Sequence, residues 1–192
     1  MRKYVGLFAV LMLTSVVLSA FPVHAGIPYC WFNKFIRKPG GDWLVQYTAA
    51  YPRVVVDATV GEDVHWEMMI IVTPDRDIFG AVVTDRFGAE IEINTPNALD
   101  PSQGTAGWDH GPGRGRKKSG KVFLTWIIGD LLEGKTACLY FKISTGLNGA
   151  GKQCYTSCGC YELNSGAVLK FLDGNGKQVS VYTLPIYVVV SG

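Results

Sequence analysis

The stretch KVFLTWIIGDLLEGKTACLYFKIST, residues 121–145, decides what kind of fold this chain has. Its centre, Trp126-Ile-Ile-Gly-Asp-Leu-Leu-Glu133, resembles an amphipathic helix, but both flanks alternate. Val122, Leu124 and Trp126 alternate with Phe123, Thr125 and Ile127; downstream, Ala137, Leu139, Phe141 and Ile143 alternate with Thr136, Cys138, Tyr140 and Lys142. Period two is the signature of a strand with one core face. A helix would have to fit between Gly129 and Gly134, about one turn with glycine at both ends, which is too short to hold itself together. The stretch is therefore predicted as strand, connection and strand, a hairpin with Trp126 as a core anchor.

Working outward, runs of β-branched and aromatic residues recur between turn signals. They predict strands near 53–60, 64–73, 79–85, 89–94, 121–128, 136–144, 161–171 and 179–190. Gly61-Glu62-Asp63, Gly134 and Asp173-Gly174-Asn175-Gly176 supply turns, since Gly and Asn tolerate positive φ. No segment keeps a period of 3.6 over three turns. Short strands at this spacing predict an all-β, two-sheet sandwich.

The first residues have the layout of a secretory signal over 1–25. Arg2 and Lys3 precede an apolar run from Val5 to Phe21, and Val23-His24-Ala25 forms a small-residue cleavage site. If uncleaved, the same run would be a membrane anchor. Arg2 and Lys3 account for the formal net charge of +2, so the rest of the chain carries balanced charge. That removes a global polyanion-binding argument, and nucleic acid is not an expected partner. Residues 26–45 read as an irregular N-terminal segment broken at Pro39-Gly40-Gly41, and 46–192 as a single sandwich domain. Within it, 95–120, TPNALDPSQGTAGWDHGPGRGRKKSG, reads as one long irregular loop.

Five cysteines, Cys30, Cys138, Cys154, Cys158 and Cys160, follow the signal and would meet an oxidising compartment. One or two disulfides are expected among them; with an odd count not all can pair within one chain, so one is free or pairs between chains, and the spacing does not give the pairing. A metal site at Cys154, Cys158 and Cys160 lacks a paired C-x-x-C and a nearby histidine.

The loop holds two further candidates. Gly115 to Lys121 has the spacing of a phosphate-binding loop, but Val122 stands where a magnesium-binding Ser or Thr belongs, and a strand follows instead of a helix. Arg114, Arg116, Lys117 and Lys118, with Trp108 as a stacking face, are the candidate site for an anionic ligand, against the plainer reading of a solvated basic loop. For catalysis, Asp109-His110 is the one loop-borne pair; His65 sits on an alternating strand as a packed or rim residue, and Glu90 and Glu92 share one strand face. No nucleophile elbow or paired-carboxylate signature accompanies them, so no enzyme activity, cofactor or metal is expected.

A family pattern runs through these elements. Val82-Val83-Thr84-Asp85 ends one strand, Trp126-Ile-Ile-Gly-Asp-Leu-Leu-Glu-Gly134 leads into Ala137-Cys-Leu-Tyr-Phe-Lys-Ile143, and Asn164-Ser165-Gly166-Ala167 precedes the final strands. In this order the chain resembles the conserved repeat domain of unknown function, number eleven in its series, found in archaeal and bacterial cell-surface proteins. The resemblance covers roughly residues 54–190. It implies an immunoglobulin-like sandwich, without catalysis, that serves as a spacer, adhesin or assembly unit. The protein is thus expected to be secreted or at the cell surface, with a protein or surface-polymer partner. Self-assembly would go through residues 28–43 or 185–190 at a neighbour's sheet edge. Two features depart from the family: there is one copy without a visible repeat, and the cysteine cluster is not part of the pattern.

Overall fold

The computed structural model describes residues 30–45, 54–88, 91–93, 99–110, 122–145 and 155–192. The predicted signal, Cys154 and the basic run 111–121 lie outside them. Among the described residues all regular structure is strand. In chain order the strands are β1 (Cys30–Arg37), β2 (Leu44–Val45), β3 (Val54–Thr59), β4 (His65–Pro74), β5 (Ile78–Phe87), β6 (Glu92–Ile93) and β7 (Asp100–Pro101). There follow β8 (Thr105–His110), β9 (Val122–Leu131), β10 (Ala137–Ser144), β11 (Gly159–Asn164), β12 (Val168–Leu172), β13 (Gln178–Tyr182) and β14 (Ile186–Ser191).

They form the two sheets of the expected sandwich. The first has the order β2-β1-β4-β10-β6, with β7 also on the free side of β10. The second is organised on β5. On one side of β5 lie β9 and then β8; on the other, the β12–β13 hairpin is followed along β5 by the end of β11, which leads to β14 and β3. β14 and β3 run parallel, and every other pairing is antiparallel.

The alternation read from the opening stretch is the alternation of burial. Val122, Leu124, Trp126, Ile128 and Leu131 face inward from β9, and Ala137, Leu139, Phe141 and Ile143 face inward from β10. Trp126 is fully buried, and its Nε1 donates to the Gln103 carbonyl at 2.8 Å, so its polar edge is satisfied as well. The two strands are not a hairpin, however. β9 pairs with β5 and β8 in the second sheet, while β10 pairs with β4 in the first. The connection is an exposed arch that passes from the second sheet to the first, held by Gly134 N–H to the Pro74 carbonyl and Glu133 N–H to Asp77 Oδ1, both 2.9 Å. Alternation shows which side chains face the core; it does not show which strand lies alongside.

Three other expectations are corrected. The irregular segment 26–45 contains β1, paired along its whole length with β4 and therefore interior to its sheet. Within the loop 95–120, the described residues 99–110 carry β7 and β8. There Gln103 Nε2 donates to the Ile128 and Asp130 carbonyls, and β8 pairs with β9 from Thr105↔Ile127 to His110↔Val122. Gly104, at φ +78°, is required in this clamp because a Cβ there would run into the Ile127 carbonyl. The single runs expected at 161–171 and 179–190 each break in two. The first breaks at Gly166 (φ +92°) and the second before Pro185, which has no N–H to donate.

Candidate functional site: a buried lysine, aspartate and asparagine between the sheets

β1 turns Cys30, Phe32, Lys34 and Ile36 toward the core, so a lysine occupies a position that the pattern reserves for an apolar residue. β5 does the same with Asp85, which falls between the core residues Val83 and Phe87. A bulge in β11 after Glu162 lets consecutive residues Leu163 and Asn164 both be fully buried. These three polar side chains, one from the first sheet and two from the second, meet inside the sandwich.

Lys34 and Asp85 side chains are 2% and 0% exposed, with Nζ 3.2 Å from Oδ2 and 3.5 Å from Oδ1. Lys34 Nζ also lies against Asn164 Oδ1, its closest contact in the cluster. The carboxamide is fixed at both ends. Its Nδ2 donates to Asp85 Oδ1 at 2.7 Å and to the Arg86 carbonyl at 3.2 Å, and its Oδ1 accepts the Gly166 N–H at 2.9 Å. That set of partners settles which end is oxygen. Asp85 Oδ1 further accepts the Arg86 N–H at 2.9 Å. Burial lowers the Lys34 ammonium below the usual lysine range, and the adjacent Asp85 charge opposes that shift without cancelling it.

Chemically, the arrangement sets a primary amine against an amide carbonyl, with a carboxylate in reach of both nitrogens and a backbone N–H on the carbonyl oxygen. Separations of 51 and 130 residues from Lys34 to its two partners hid the cluster from a linear reading. The available signal was a charged residue at an inward position of each alternating run.

A second polar group lies on the outer face of the first sheet. Arg37 Nε donates to Glu67 Oε2 at 2.6 Å, its guanidinium sits 4.3 Å from the Trp43 ring centroid, and Trp43 meets Tyr140 edge-on at 6.4 Å. The Tyr140 hydroxyl first, and then Arg37, hold the Glu67 carboxyl below the usual range.

The residues singled out from sequence are dispersed. Trp108 is half-buried and packs against the core from β8, while Arg114, Arg116, Lys117 and Lys118 lie outside the described residues. β9, a strand, follows the Gly115–Lys121 stretch, in agreement with rejecting a nucleotide loop. His65 is exposed at the rim of β4, 3.5 Å from Asp63. Asp109 is exposed on β8; for His110 and Glu92 the backbone alone is described, and Glu90 is outside. Among the described residues no group of His, Cys, Asp or Glu has metal-binding geometry.

Cys30, Cys138, Cys158 and Cys160 are free cysteines and form no disulfide with one another; Cys154, and any pairing it makes, lies outside the described residues. Cys30 and Cys138 belong to the same sheet but point to opposite faces, Cys30 into the core and Cys138 outward, so no rotamer joins them. Burial pushes the Cys30 thiol up to about 12, which makes it unreactive. Cys158 and Cys160 are exposed at the start of β11.

No family model matches the chain. An uncharacterized protein of Archaeoglobus fulgidus is 36% identical over 107 residues, which is 56% of this chain and 36% of that protein. The chain thus spans little more than a third of the curated relative it matches. Among solved structures it is similar to BcpA, the major pilin subunit of Bacillus cereus, at 14% identity and a TM-score of 0.47, over 84% of this chain and 40% of that one. It is also similar to a putative membrane anchored protein from Corynebacterium diphtheriae (8% identity, TM-score 0.46, 90% and 37% covered). A third is the major pilin SpaD of Corynebacterium diphtheriae (12% identity, TM-score 0.42, 82% and 35% covered). Likeness at this level is one of distant β architecture and assigns no activity.

Proposed function

We propose that the chain is an exported β-sandwich module of surface structure, adhesion or assembly that turns over no substrate of its own. The observation that carries this reading is where the buried polar chemistry is directed. Lys34, Asp85 and Asn164 are bonded to one another across the two sheets, in a core closed around Trp66, Trp126, Leu139 and Phe141. A polar strut between sheets resists their separation, which suits a part that bears load. The resemblance to the cell-surface repeat domain belongs with this reading. Its Asp85 and Asn164 positions are two of the three strut residues, and its Trp126–Gly134 motif forms the end of β9 and the arch.

The two segments considered as assembly strands are engaged at home. β1 pairs with β4, and β14 lies between β11 and β3, so assembly would use other edges or loops. Trp108 packs inward, which weakens its role as a stacking platform for an anionic polymer.

Fractionation of the source cells tests the proposal. The chain is expected in the envelope or the medium and to be removable from intact cells by added protease. Confinement to the protease-protected cytosol would overturn it.

A further inference from the structure

We propose that Lys34 and Asn164 become joined by an intramolecular amide bond, Nζ to Cγ, which ties the first sheet to the second through the core, with Asp85 transferring the protons.

Three requirements of amide exchange are met by named atoms. The nucleophile must be a neutral amine. Lys34 is in a dry site where burial disfavours its ammonium form, and Asp85 Oδ2, 3.2 Å away, is placed to take its proton. The electrophile must be held and polarised. Gly166 N–H donates to Asn164 Oδ1 at 2.9 Å, where negative charge develops as the carbonyl carbon becomes tetrahedral. The leaving nitrogen must be protonated. Asn164 Nδ2 is 2.7 Å from Asp85 Oδ1, on the same carboxyl group that receives the lysine proton. Proximity does the rest, because folding itself sets the amine against the carbonyl.

The step balances without a co-reactant. Lys34 Nζ gives one proton to Asp85 and attacks Asn164 Cγ. The resulting intermediate passes a second Nζ proton, through Asp85, to Nδ2; the Cγ–Nδ2 bond breaks and ammonia leaves. One amide replaces another, nothing is oxidised or reduced, and loss of ammonia makes the exchange one-way. Gly166 is a positioning residue here. At φ +92°, a Cβ would lie 2.6 Å from the Thr183 carbonyl, so a side chain there would displace the N–H from the Asn164 oxygen.

A buried ion pair with a hydrogen-bonded amide is the alternative, and intact mass separates the two. The full-length denatured protein is expected about 17 Da below the mass of its polypeptide, one ammonia lighter, whereas Lys34→Arg and Asp85→Ala are expected at full mass. A tryptic digest of the wild type should contain one branched peptide joining a segment that includes Lys34, uncleaved at that residue, to the segment that includes Asn164. A wild-type protein at full mass, without that peptide, overturns the proposal. So does the same loss in Lys34→Arg, since it would place the ammonia loss at an asparagine cyclising on its own backbone. If neither variant folds, the wild-type digest decides alone.

Discussion

The inner face of β1 and its outer side near β2 carry the same ingredients in different solvents. Inside, Lys34 meets Asp85 and Asn164 with almost no water. Outside, Arg37 meets Glu67 and Tyr140 with the guanidinium side chain 29% exposed. In the outer group, charge stabilises charge, Glu67 is held ionised, and water screens whatever is left over. In the inner group, burial works against the lysine's charge, and the amine is pushed toward the form that reacts. One strand therefore bears an ordinary ion pair on one face and a chemically poised amine on the other. Solvent access makes the difference.

That contrast predicts a steep ordering of mutational effects. Lys34→Ala should be the most damaging. It strands the buried Asp85 carboxylate, a loss of about 3–5 kcal/mol on its own, and it removes the cross-link. Closing a loop of this length constrains the unfolded chain by about 4–5 kcal/mol. Chemical denaturation of the wild type and the variant measures the gap. A difference as small as that of a surface substitution would abolish the distinction between the two faces. Gly166→Ala should follow at about 1–3 kcal/mol from backbone strain. It should also leave part of the protein at full, uncross-linked mass, which a purely structural glycine would not do.

A pH series sharpens the comparison further. In Asn164→Ala the amine stays free with its lowered value. The unfolded chain then binds a proton more readily than the folded one as pH rises toward the ordinary lysine value of 10.5, so stability climbs over that window. The wild type, with Nζ in an amide, should lack that climb in a denaturation series taken at increasing pH. The smallest effect belongs to the outer pair. Glu67→Gln should cost no more than about 1 kcal/mol. Because the folded Glu67 value is depressed, its contribution is present above the ordinary glutamate value of 4.5. It fades as pH falls through the folded value, so wild type and variant should converge in acid.

Much of the architecture was legible because alternation is a local signal. Leu124, Trp126, Leu139 and Phe141 declare their faces within a few residues, and all are fully buried. What was not legible depends on distant parts of the chain. The arch was read as a hairpin because β9 and β10 look alike in sequence, while their partners, β5 and β4, lie far upstream. β1 was missed because Lys34 interrupts the inward series Cys30, Phe32, Ile36 and because Trp31 and Phe35 make the other face apolar as well. β8 was missed because Thr-Ala-Gly-Trp-Asp has little β-branched character and is held by the backbone of β9 and by Gln103. The functional cluster was hidden for the same reason as β1. A charged residue in a core position disrupts the pattern that finds strands, yet in this fold it marks the chemistry.

Pulling a single molecule by its two ends shows whether a covalent strut joins the sheets. The stretch from Lys34 to Asn164, a separation of 130 residues, would then be shielded from force. The cross-linked wild type should show an unfolding extension about 450 Å short of the full contour length, restored in Lys34→Arg. A wild-type molecule that extends to its full contour would contradict the cross-link.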